Sequence, residues 1–99
     1  MKNTEDKIRE KSIKILNDLT EGVYNKDNII NVNFHEKEKL SFPNENIIDT
    51  WVISIKSLFD NRDFLFISDE TGEPIYYHNF NFIKTEIIKN NDGIYEYKR

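Results

Sequence analysis

Between Phe64 and Tyr77 the chain reads FLFI, then SDETGEP, then IYY. Two short β-forming runs joined by a polar stretch with a single glycine fold back on each other as an antiparallel hairpin. Gly72 takes the positive φ that an L-residue side chain resists, and Pro74 sets where the second strand begins. That pairing constrains the segment before it. IIDTWVISI, residues 47–55, holds four isoleucines, a valine and the only tryptophan, a composition suited to a strand covered on both faces for part of its length. Trp51 sits in its middle and reads as core, with an indole N–H that needs an acceptor. The polar run from Ser57 to Asp63 breaks the strand before FLFI.

The remaining segments supply partners for this sheet. Near the N-terminus, Ile8, Ser12, Ile15, Leu16, Leu19 and Val23 fall on one stripe at helical spacing, with Ile13 beside it. Asn3, or Thr4 in its place, caps this helix, and Glu5 and Asp6 suit its positive end. Gly22 offers the left-handed residue that ends it, so the expected helix covers about 4–21. IINVNFHEKEKLSF then alternates as a strand from about residue 29, with Ile30, Val32 and Phe34 on one side, up to a loop at Pro43. Residues 80–89 fit either a strand, with Phe80, Phe82, Lys84, Glu86 and Ile88 on one face, or a short helix. The NNDG turn and IYEYK after it favour the strand. The expectation is a single domain over 1–99 in the α+β class: an N-terminal helix packed on a four- or five-stranded, mostly antiparallel sheet.

Such a sheet, covered by one helix, has a second face to offer a partner. Residues 21–83 carry eleven acidic and five basic side chains within a chain of net charge -4. That balance repels phosphate backbones and suits a basic protein surface, so direct nucleic-acid binding is not expected. The absence of cysteine excludes disulfides and thiolate-bound metals. No apolar run is long enough for a membrane span, and the charged N-terminus does not resemble a signal peptide, which makes the cytoplasm the expected address.

No pattern carries chemistry. His35 and His78 are the only histidines, and their spacing to Glu36 and Glu38 matches no metal motif. The carboxylates Asp60, Asp63, Asp69, Glu70 and Glu73 lie at the two ends of FLFI in turn-rich sequence, where nothing signals the burial that acid-base work requires. Neither an enzyme nor a cofactor is expected. Tyr76, Tyr77, Tyr95 and Tyr97 instead combine contact area with a polar tip, and with those five carboxylates they form the candidate partner-binding set.

The order of these elements resembles the small immunity proteins of bacterial polymorphic-toxin systems, particularly those paired with papain-fold toxins. In that group a tryptophan opens an apolar strand, and a later strand runs through an aspartate into a Thr-Gly-Glu turn. Trp51, Asp69, Thr71, Gly72 and Glu73 match these positions. Thr50 stands where a glycine commonly precedes the tryptophan, and Asp60 to Asp63 replace a glycine-containing approach to the second strand. The resemblance implies a non-enzymatic inhibitor that neutralises a cognate, basic toxin domain by masking its active or substrate-binding surface; a homodimer remains open. The alternative readings are a regulatory or phage-encoded inhibitor of another class, or a small-ligand-binding α+β domain with a pocket lined by Trp51, Phe64, Phe66 and Tyr77.

Overall fold

The computed structural model describes residues 1–57 and 60–99. Helix α1 spans Glu5–Thr20, and Thr4 caps it by accepting the Lys7 amide at 3.2 Å. Asn3 is not the cap. Its backbone N–H and side-chain amide are both drawn to Asp69, whose carboxylate and carbonyl accept them at 3.0 and 2.8 Å. At the other end Glu21 and Gly22 both take positive φ, and their amides return to the Asn17 carbonyl. This stops the helix before Val23, which is exposed rather than part of the stripe.

Six strands follow: β1 (Ile29–Leu40), β2 (Asn46–Lys56), β3 (Arg62–Ser68), β4 (Pro74–His78), β5 (Lys84–Lys89) and β6 (Tyr95–Tyr97), after a short 3-10 turn at Lys26–Asn28. They pair in chain order as one antiparallel meander. The fold is α+β, with six strands rather than four or five, because residues 84–89 are a strand and YEY adds another beside it. Lys84, Glu86 and Ile88 share a face as expected. Phe80 and Phe82 do not join them, since they lie in the turn before β5. The break expected over Ser57–Asp63 includes Leu58 and Phe59, which lie outside the described residues; β3 itself begins at Arg62.

In β1 a register shift between Ile29 and Asn31 turns Ile29 inward with Val32 and leaves Ile30 exposed, so the expected Ile30, Val32 and Phe34 face is broken at its first member. A second shift follows His35, where Lys37 adopts φ 51° and donates its amide to Asp49 at 2.8 Å. Strand pairing therefore continues through the charged stretch to Leu40.

Helix α1 touches both edge strands, β1 and β6. Six strands laid flat would put those edges about 24 Å apart, while a helix with its side chains is about 10 Å across. The sheet must curl around the helix. The enclosed core joins Ile8, Ile15 and Leu16 to Trp51, Ile53, Ile55, Leu65, Ile67, Tyr77, Ile87 and Tyr95. Strand alternation sends Val52, Phe64, Phe66, Tyr76 and His78 to the outer face. There Phe66 stacks on Tyr76 with centroids 4.3 Å apart, and Phe42, from the loop between β1 and β2, meets Tyr76 edge-on at 5.4 Å. The outer face is thus partly covered by the chain's own loop.

Candidate functional site

The curl decides what each of the nine candidate residues can reach. Tyr76 and Tyr77 are neighbours on β4 and point to opposite sides. Tyr76 is buried under Phe42 on the outer face, where burial first and the Glu38 carboxylate second push its phenol up. Tyr77 enters the core and donates its hydroxyl to Asp63 at 2.6 Å; burial and that bond raise its phenol well above the ordinary range. Asp63 also accepts the Phe80 amide at 3.0 Å.

Asp69 is 2% exposed. It accepts the Trp51 indole N–H at 2.8 Å and the Lys2 and Asn3 amides at 2.6 and 3.0 Å. Burial would raise its pKa, but these donors outweigh burial and hold the carboxyl below its usual value. Trp51 and Asp69, two of the positions matched in the resemblance, are therefore bonded to each other and clasp the N-terminus to the sheet. The acceptor that the indole requires is the aspartate of the hairpin.

Tyr95 is buried with its hydroxyl donated to Glu73, which also holds Lys89 at 2.9 Å and Lys11 at 3.6 Å. Burial and Glu73 raise the Tyr95 phenol. The Glu73 carboxyl, pushed up by burial, is pulled lower on balance by the Tyr95 hydroxyl and the two lysines. Tyr97 is half-buried, its ring edge-on to Tyr77 at 6.2 Å. Only Asp60, 3.2 Å from Lys56, and Glu70, 3.7 Å from Lys2, are exposed. Most of the set is thus committed to bonds within the fold, leaving those two carboxylates exposed at opposite ends of β3.

A different group stands out into solvent. Asn79 heads the turn between β4 and β5: its side-chain oxygen accepts the Asn81 and Ile83 amides at 2.9 and 3.0 Å, and its carbonyl accepts the Phe82 amide at 3.0 Å. Asn90 heads the turn between β5 and β6 with the same bonds, to Asp92, Ile94 and Gly93. Both are three-residue hairpin loops that close on a residue of positive φ. In the second turn that residue is Gly93, at φ 79°; in the first it is Phe82, at φ 64°. Phe82 is 84% exposed, and Phe80 and Ile83 beside it are also exposed. A left-handed conformation costs an L-residue about 1–2 kcal/mol, so folding alone favours glycine there. The β2–β3 turn, with exposed Asp60 at φ 64°, leaves the sheet from the same end as the Phe82 turn.

The sequence pattern puts Phe80 and Phe82 on a strand face, or Phe80 with Ile83 and Ile87 on a helix face, and the structure places Phe80 and Phe82 in a turn instead. The usable signal was the repeated pattern of an asparagine four residues before an isoleucine, Asn79 to Ile83 and Asn90 to Ile94, with phenylalanine replacing glycine. Beneath the Phe80 turn, between it and the end of α1, lies a half-open cavity of about 350 Å³. His35 is hydrogen-bonded to Glu38 at 2.8 Å, and no group of three metal-ligating side chains gathers among the described residues. Nor is any helix among them long and apolar enough to cross a membrane. No protein-family model, curated protein or solved structure matches the chain.

Proposed function

We propose that the chain is a non-enzymatic immunity protein, which binds a cognate toxin domain and masks its active or substrate-binding surface with the Asn79–Ile83 turn as the central contact. The observation that carries this reading is Phe82, a large apolar side chain held in solvent at a backbone position its twin turn fills with glycine. Apart from an edge-on contact of the ring with His78 at 6.0 Å, neither the exposure nor the backbone strain serves folding. Both become favourable when a partner covers the ring, because burying a phenylalanine is worth about 1.5–3 kcal/mol. The turn is pre-ordered by Asn79, so docking loses little further chain entropy. The acidic middle of the chain, with Asp60 exposed at the same end of the sheet, favours a basic partner surface.

The test is Phe82→Gly in a co-expression assay that scores survival against the toxin, with affinity measured on the purified pair. The variant is expected to fold as well as the parent, or to gain up to about 1 kcal/mol by relief of the left-handed strain. It should bind the toxin at least about thirtyfold more weakly, as removal of an interface hot spot does. Equal protection by parent and variant would remove the turn from the interface, and failure of the parent itself to protect would sink the immunity reading.

A further inference from the structure

The cavity beneath the Phe80 turn has a chemistry of its own. Tyr24, Tyr77 and Tyr97 line it together with Asp63 and apolar side chains from α1 and the turn. Asp63 is 6% exposed, and both groups bonded to it, the Tyr77 hydroxyl and the Phe80 amide, are neutral donors. Among the described residues no ammonium or guanidinium group pairs with it. Buried carboxylates are ordinarily matched by a cation or a metal. Burial first, then the neighbouring Tyr24 and Asp63, push the Tyr97 phenol up to about 12, and burial raises Tyr77 as well, so these two phenols remain neutral near pH 7.

The cavity therefore gathers one buried anion and aromatic rings, whose faces attract cations. Its volume lies at the lower end of the range of about 300–1,000 Å³ for ligand pockets. A hard metal ion would find Asp63 as the single carboxylate of the lining, and an anion would meet that carboxylate. We propose that this cavity binds an organic ammonium group, with Asp63 as its counter-ion and Tyr24, Tyr77 and Tyr97 as its walls. The group could belong to a free small amine or to a lysine side chain presented by a protein. The inference does not depend on the immunity reading, since neither the cavity nor its chemistry requires a toxin.

The full chain, labelled with carbon-13 in its tyrosine rings, would be titrated by NMR with four probes: choline, n-butylammonium, a capped glycyl-lysyl-glycine peptide, and 3,3-dimethyl-1-butanol as the neutral isostere of choline. Saturable shifts of the Tyr24, Tyr77 and Tyr97 rings are expected with the cations and not with the alcohol. Tighter binding of choline would point to a free amine, and tighter binding of the lysine peptide to a protein side chain. Asp63→Asn should weaken cation binding at least about tenfold. If that variant fails to fold, Tyr97→Leu should show a comparable loss. Equal binding of the neutral alcohol, undiminished binding in a folded Asp63→Asn or Tyr97→Leu variant, or no saturable shift with any cation would overturn the assignment.

Discussion

Asp69 ties three separate parts of the chain with one side chain: the hairpin that carries it, the indole of Trp51 and the first backbone amides. Replacing it by asparagine keeps the shape but removes the charge and one acceptor oxygen, leaving a buried donor unmatched. Asp69→Asn is expected to cost about 1–3 kcal/mol, read as a lower midpoint in urea unfolding at pH 7. The loss should shrink in acid. A carboxyl held below its unfolded pKa contributes stability above that value and loses it as pH falls through the folded one. The same penalty at pH 3 as at pH 7 would show that the contribution is steric rather than ionic. Half of this clasp was legible in the letters. A mid-strand tryptophan implies a partnered indole, but its acceptor lies eighteen residues away, and only the register of β2 on β3 brings it near.

At the scale of the element, the two asparagine-headed turns form a natural control for each other. A Cβ added to Gly93 would meet nothing within 4 Å, so Gly93→Ala isolates the backbone term. It should cost about 1 kcal/mol and lower the melting temperature by roughly 4–8 °C for a domain of this size. Phe82→Gly should move the melting temperature the other way or not at all. A fall in both would mean that the edge-on contact of Phe82 with His78, at 6.0 Å, outweighs the backbone strain. The β3–β4 hairpin was readable because glycine and proline mark their own conformations locally, and Gly72 does take a positive φ, 71°. The β4–β5 turn was harder to read, since phenylalanine advertises burial and masks the asparagine pattern that this turn shares with the β5–β6 turn.

For the whole molecule, the helix is the object around which the sheet closes, so the two edge strands depend on it together. Ile15, fully buried, belongs to the core cluster of the helix. Ile15→Ala should cost about 2–5 kcal/mol, and amide exchange should accelerate in β1 and β6 alike. Acceleration confined to one edge would argue that the strands open independently. The titrating groups give a second global expectation. Asp18, Asp69 and Glu73 are held low, and Tyr76, Tyr77, Tyr95 and Tyr97 are held high. The carboxylates contribute above their unfolded values of 3.8 and 4.5 and lose that contribution as pH falls. The phenols contribute below 10.0 and lose it as pH rises toward their raised values. Urea midpoints should form a plateau between about pH 5 and pH 9 with a fall on each side. A chain still at full stability at pH 12 would show that the buried phenols are not held neutral.

Local chemistry in the letters alone determined the helix and its acidic first turn, the strand character of the apolar runs, the glycine and proline turns and the α+β class, because periodicity and turn preference act over a few residues. Tertiary structure decided which side chains were left for a partner. Curling six strands around one helix drew Tyr77, Tyr95, Asp63 and Asp69 inward and bonded each to a neighbour distant in sequence. The same closure put Phe82 outside and gathered three phenols around a carboxylate. A tyrosine on a strand reads identically in sequence whichever side it faces; the direction in which the sheet bends makes it an anchor or a core residue.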